Sequence, residues 1–146
     1  MLTGKGGTGK TRIAAAIGLA SAEQGRRVLV VEADAQRSAL AEAYGTDLAY
    51  EPTAVAPNVW AANITFQPAL NDWLNHTIRA SRVVGLILNN PMVQVFLDAT
   101  PGAREIVVLS RVVSYLDDFD QLVVDLPASG HAVALLKIPD TANRLM

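Results

Sequence analysis

The sequence predicts an α/β domain: a mostly parallel sheet flanked by helices, in a three-layer α/β/α arrangement. Three observations carry this. Gly4-Lys5-Gly6-Gly7-Thr8-Gly9-Lys10-Thr11 fits G-x-x-x-x-G-K-[ST], and a helical pattern follows at once. Val28-Leu29-Val30-Val31 is a continuous apolar run ending in acids, as in a parallel strand buried on both faces. Leu122-Val123-Val124-Asp125 repeats that shape far down the chain.

Each element follows from local pattern. Met1-Leu2-Thr3 reads as the stub of a strand that delivers the Gly-rich loop. A strand normally runs ~5–6 residues, so residues 1–146 are expected to form one incomplete domain, the N-terminal portion of a longer protein. A first helix is expected from about Lys10 to Gln24. Ile13, Ala16, Ile17 and Ala20 would form its inner stripe, Gly18 would allow close packing on the sheet, and Gly25 would end it. Ser38 is placed to cap a short helix over Ala39–Tyr44, closed by Gly45. Thr46–Pro57 is expected to be a loop, and Asn58–Ile64 a strand with Trp60 in the core.

A short helical insertion is expected at about 66–116. In it Leu70, Trp73, Leu74 and Ile78 would share an inner face, and His76 would lie at the surface. Thr100 is a plausible N-cap, with Pro101 at the first position of a helix over Gly102–Leu116. Ile106, Leu109, Val113 and Leu116 form a stripe there, widened by Val107, Val108 and Val112. So broad a face is normally core; a partner groove is the sharper reading. Beyond the second strand, Ala132–Lys137 patterns as a helix ended before Pro139, and Asp140–Met146 is expected to begin another.

The chemistry starts at the loop. Glycines let the backbone bring N–H groups close to an anion, so Gly4, Lys5, Gly6, Gly7, Thr8, Gly9, Lys10, Thr11 and Arg12 are the candidate nucleotide-binding set. Lys10 is expected to reach the β/γ-phosphates and Thr11 to hold Mg²⁺. The helix that follows aims its positive end at the phosphates. In open α/β sheets ligands bind beyond the carboxyl ends of strands, which puts Asp34 beside the phosphates. Glu32 is as easily a structural strand end as a functional acid. Asp125, ending the second run, has the shape of a Walker B residue. Thr11, Asp34 and Asp125 form the candidate Mg²⁺ set, and Leu126–His131 a loop placed to sense the γ-phosphate.

Composition bounds the alternatives. Net charge is −2, and the only adjacent basic pair, Arg26-Arg27, sits at a strand entrance where solvation is its expected role. Nothing points to an electrostatic nucleic-acid binder. No cysteine occurs among the 146 residues. That excludes disulfides, Cys-based metal sites and thiol catalysis within them, and fits a reducing cytoplasm. The most apolar run, Val83–Leu97, is broken by Asn89-Asn90-Pro91 and is short of the ~20 residues a span needs. Any membrane association is expected to be peripheral, through a partner.

Lys5-Gly6-Gly7-Thr8-Gly9-Lys10-Thr11 resembles the deviant Walker A motif K-G-G-x-G-K-[ST]. That motif marks the P-loop ATPases that include MinD/ParA, nitrogenase iron protein and the anion-pump and tail-anchored-protein targeting enzymes. Asp125-Leu126-Pro127-Ala128-Ser129-Gly130-His131 is similar to the switch II stretch D-x-P-A-T-G-H of the ArsA-like branch, and Ala132–Pro139 continues the match. Thr100-Pro101-Gly102-Ala103-Arg104-Glu105 is similar to its T-P-G-x-x-E helix start, and Asn58–Ile64 to its N-L-x-A-x-x-I strand. The resemblance implies a P-loop fold, ATP and Mg²⁺ as ligands, and hydrolysis to ADP and phosphate. It also implies a homodimer closing on nucleotide and coupled to a protein or anion client.

Asp34 then matches the switch I aspartate that positions the attacking water, and Asp125 the switch II aspartate near Mg²⁺. Lys5 matches the signature lysine that reaches the phosphates of the partner protomer. Finger residues acting in this way are worth ~10³–10⁵ in rate. Lys5 and Asp34 are the candidate catalytic residues. Switch I in this branch is commonly D-P-A-H, whereas Asp34-Ala35-Gln36-Arg37 carries neither Pro nor His. No arsenite-binding cysteine triad is present. Two alternatives stay open. A MinD/ParA-type positioning ATPase shares Lys5 and Asp34 and would show a membrane helix or a basic DNA surface. A nucleotide-gated binding module would hydrolyse little.

Overall fold

The structure is a computed structural model that describes residues 2, 9–77, 90–100 and 102–126. Its centre is strand β1 (Val28–Ala33), every residue of which is buried. β1 pairs in parallel with β3 (Val59–Ile64) on one side and β4 (Gln121–Asp125) on the other. β2 (Thr53–Ala56) adds an antiparallel edge to β3, giving the order β2-β3-β1-β4. Leu2 bridges in parallel to Asp125, with Leu2 N–H donating to Val124 O at 2.8 Å and Leu126 N–H to Leu2 O at 3.1 Å. Leu2, two residues ahead of Gly4, thus lies beside the end of β4.

Helices cover both faces of the sheet, so the three-layer α/β/α expectation holds for the described part. α1 (Lys10–Glu23) and α2 (Ala39–Tyr44) pack on one face, α3 (Phe66–Thr77) and α5 (Ala103–Val113) on the other, with α4 (Pro91–Ala99) against α5. The alternation of β1 decides which residue faces which layer. Val28 and Val30 meet Ala14, Ala15 and Leu40; Leu29, Val31 and Ala33 meet Phe66, Leu70, Val108 and Val112. Each fully buried Val, Leu or Phe side chain among them stabilises by roughly 1.5–3 kcal/mol.

Several expected faces are rotated. On α1 the buried residues are Ala14, Ala15, Gly18 and Ser21, while Ile13 and Ile17 are exposed. Small side chains face the sheet because the helix approaches it closely. A Cβ on Gly18 would lie 2.5 Å from Val30 Cγ2 and 3.1 Å from the Tyr44 hydroxyl. On α5 the buried residues are Val107, Val108 and Val112, continued by Tyr115, while Ile106, Val113 and Leu116 are exposed and Leu109 is half-buried. Trp73 is likewise exposed at 43%, whereas Phe66, Ala69, Leu70 and Leu74 carry the inner face of α3. Ile78 lies outside the described residues.

Other boundaries differ in instructive ways. The expected Thr46–Pro57 loop contains β2, an edge strand of four residues between Pro52 and Pro57. The cap of α5 is Gly102 in the left-handed region (φ 84), not Thr100, whose carbonyl instead accepts from Ala103 N–H at 3.2 Å. Pro101 lies outside the described residues. Ser38 caps α2 as expected, accepting from Ala41 N–H at 2.9 Å, and Gly45 closes it. Trp60 is half-buried, edge-on to Phe119 at 5.4 Å. Arg27 is not merely solvated: its guanidinium lies 5.5 Å from both the Trp60 and Phe119 rings. The expected helices at Ala132–Lys137 and Asp140–Met146 lie outside the described residues.

Candidate functional site

The site forms where α1, β1 and β4 meet at the carboxyl end of the parallel strands. Gly9 takes φ 78 just ahead of α1, a left-handed conformation that suits glycine. It turns the chain into a helix whose first three residues are Lys10, Thr11 and Arg12. No acid sits in that first turn, so the positive helix end is not offset there. Gly9, Lys10, Thr11 and Arg12 line an open cleft of about 460 Å³, closed opposite by Ala39, Glu42 and Ala43 of α2. Those three α2 residues carry no motif and were not legible in the sequence. Gly4, Lys5, Gly6, Gly7 and Thr8 lie outside the described residues, as do Pro127–His131, the stretch whose sequence resembles switch II.

Thr11 and Asp125, 114 residues apart, are in direct contact. The Thr11 hydroxyl donates to Asp125 Oδ2 at 2.5 Å. Asp125 is buried at 5% exposure, and among the described residues its Oδ1 has no hydrogen-bond partner. A buried carboxylate with one oxygen unpartnered is costly unless a cation or donor joins it. A hydroxyl and a carboxylate are the hard oxygen donors that Mg²⁺ takes, usually with only one or two carboxylates beside phosphate oxygens and water. The pair therefore fits the ion.

Asp34 sits two residues beyond the β1 position that pairs with Asp125. Its backbone is left-handed, φ 52. Oδ1 accepts the Phe66 N–H at 2.9 Å, at the first residue of α3, and Oδ2 meets the Arg104 guanidinium at 3.2 Å. Among the described residues no hydrogen bond or ion pair links Asp34 to Thr11 or Asp125. Asn63 of β3 holds the next residue through both backbone groups. It accepts from Ala35 N–H at 3.3 Å, and its Nδ2 donates to Ala35 O at 2.8 Å. Asn63, Phe66 and Arg104 thus fix the segment after β1, and none is marked by motif spacing.

Glu32 has a structural task. It is buried and accepts from the Ser38 hydroxyl at 2.6 Å and from the Ala39 and Leu40 N–H groups at 3.1 and 3.4 Å. It caps α2 together with Ser38. His76 is exposed on α3, as expected. A second polar cluster lies on the far layer. Arg111 pairs with both Glu51 oxygens at 2.7 and 2.9 Å and stands 3.5 Å from Asp72. Tyr115 donates to Glu51 at 2.9 Å and Tyr50 to Asp72 at 2.8 Å. Burial, followed by the hydrogen bond to Glu51, pushes the Tyr115 hydroxyl up to about 12. This cluster ties α3 and α5 to the segment before β2.

A glycine-turned helix start whose threonine touches the acid of a neighbouring parallel strand defines a P-loop α/β domain. Comparison with known proteins agrees. The family model described as anion-transporting ATPase, of the ArsA type, matches residues 1–146. The chain belongs to that family, and membership implies nucleotide binding. It is 34% identical over 152 residues to an uncharacterised protein of Streptomyces coelicolor, covering 100% of this chain and 38% of the relative. It is 30% identical to a Prosthecochloris vibrioformis protein that carries the provisional name arsenical pump-driving ATPase, covering 97% and 35%. It is 30% identical to the ATPase BagA of Mycobacterium tuberculosis, covering 99% and 46%. The chain spans between about a third and a half of the length of these relatives. Among the described residues no helix is long and apolar enough to cross a membrane.

Proposed function

We propose that this chain forms the nucleotide-binding part of an ArsA-like ATPase that hydrolyses ATP to ADP and phosphate. The observation that carries the reading is the Thr11–Asp125 contact at the end of the Gly9-turned helix. Gly4–Thr11, with Arg12, would wrap the phosphates with backbone N–H groups. Lys10 would neutralise the β/γ-phosphate oxygens, and the α1 N-terminus would add its partial positive charge. Thr11 and Asp125 would hold Mg²⁺, which supplies charge neutralisation at the phosphates. Asp34 would accept a hydrogen bond from the attacking water and orient it; placing it in the Mg²⁺ set as well is weaker, because Phe66 and Arg104 engage its oxygens.

Lys5 would act across a nucleotide-bridged homodimer, bringing positive charge to the partner's phosphates as the transition state gathers negative charge. The helices between β3 and β4, the expected insertion at about 66–116, would carry the coupling to a client protein or anion. The family match favours this over a MinD/ParA-type positioning enzyme. ATP binding by the full-length protein tests the proposal: Lys10→Ala is expected to weaken affinity at least tenfold, and ordinary affinity in that variant would sink the loop assignment. Lys5→Ala is expected to keep binding and lose turnover. Unchanged turnover removes the cross-dimer role.

A further inference from the structure

We propose that Arg104 is a latch on Asp34, a positioning residue that makes hydrolysis depend on where helix α5 sits. The inference rests on the reading of Asp34 as the residue that orients the attacking water.

The geometry joins three elements at one carboxylate. Asp34 follows β1, Phe66 opens α3, and Arg104 is the second residue of α5. Phe66 N–H and the Arg104 guanidinium take one Asp34 oxygen each. The guanidinium also lies 4.2 Å from the centroid of the Phe66 ring, which holds its plane in place. A small cavity of about 70 Å³ beneath this pair is lined by Ala33, Asp34, Arg104, Glu105, Val108 and Leu126. The start of α5 therefore rests on the tips of β1 and β4, where nucleotide chemistry would occur.

A carboxylate bound to a guanidinium is charge-neutralised and has fewer free lone pairs, so it orients water poorly. The backbone of Asp34 stands outside the common regions. Asp34 is held at φ 52, a conformation that non-glycine residues visit sparingly and that persists when surroundings impose it. Release of Arg104 lets Asp34 relax to extended backbone and turn its carboxylate. The pair is weak enough to open, because the side chains are 42% and 31% exposed. Any shift of α5, whose Ile106 and Val113 face outward, would move Arg104 with it. The helical layer thus gains a direct handle on switch I.

Steady-state phosphate release by the full-length protein tests this, with Arg104→Ala, Arg104→Lys, Asp34→Asn and the Arg104→Ala/Asp34→Asn double variant. Arg104→Ala is expected to raise kcat roughly two- to fivefold, the range a partly exposed ion pair supports, with KM for ATP unchanged. Arg104→Lys falls between it and wild type. The double variant is as inactive as Asp34→Asn alone. If Asp34→Asn is inactive but Arg104→Ala is no faster than wild type, the latch is wrong and the water-orienting role stands. If Asp34→Asn turns over normally, that role fails and the latch falls with it. A second measurement needs no turnover: in nucleotide-free protein, backbone amides of residues 33–37 are expected to exchange hydrogen faster in Arg104→Ala. Unchanged protection overturns the proposal.

Discussion

The Thr11 hydroxyl and the Asp125 carboxylate meet at 2.5 Å, joining the first turn of α1 to the tip of β4. Asp125 is buried, and its other oxygen has no partner among the described residues. Such a carboxylate costs stability in the free protein and gains its partner when a cation arrives. Asp125→Asn removes the charge and keeps the shape. It is expected to stabilise the nucleotide-free protein by up to about 1 kcal/mol while losing most of the further stabilisation that Mg²⁺ with ATP gives the wild type. Thermal melts with and without the ligands check both halves. A variant that is less stable when free and equally stabilised by ligand contradicts them.

At Gly18, α1 lies close against the sheet. An added Cβ would meet Val30 Cγ2 at 2.5 Å, from a β1 residue with no room to retreat. Overpacking of this kind costs ~1–3 kcal/mol, partly offset by the ~1 kcal/mol that alanine gains in a helix. Gly18→Ala is therefore expected to lower stability by up to about 2 kcal/mol in urea unfolding. A stabilised variant would mean that α1 stands farther from the sheet.

Alkaline pH should loosen the molecule through its tyrosines. Burial pushes Tyr44 up to about 12 from an ordinary 10.0, and Tyr115 is pushed to about 12 by burial and then by its bond to Glu51. Tyr50 moves in the same direction, first through burial and then through Asp72. The folded state keeps these protons above pH 10 while the unfolded chain releases them. Stability present below pH 10 is therefore lost as pH rises towards 12. Urea unfolding between pH 9 and 12 is expected to show this decline, with a shallower slope in Tyr115→Phe. Equal slopes in the two proteins would contradict it.

Much of the fold was legible because strands and turns carried one-sided signals. Val28–Val31 and Leu122–Val124 are continuous apolar runs, as parallel strands covered by helices on both faces require, and Ser38 with Gly45 bracketed α2. Helix faces were harder. α1 and α5 carry apolar residues around most of their circumference, so spacing selected Ile13/Ile17 and Ile106/Val113 while Ala14/Gly18 and Val108/Val112 went inside. For α1, close approach to the sheet, a tertiary constraint, decided the matter. β2 was hidden because four residues between prolines give too short an alternation to register. At the site, Thr11 and Asp125 were found by motif. Asn63, Phe66 and Arg104 hold Asp34 and Ala35 through contacts that no local spacing announces.

Thr11 and Asp125 are proposed to serve a Mg²⁺-bound nucleotide. Phosphate release from ATP by the full-length protein, titrated with Mg²⁺, measures this directly. Turnover is expected to saturate with Mg²⁺ in the wild type. Thr11→Ala and Asp125→Asn are each expected to lose at least tenfold in turnover, or to need correspondingly more Mg²⁺. Turnover with wild-type Mg²⁺ dependence in both variants would contradict it.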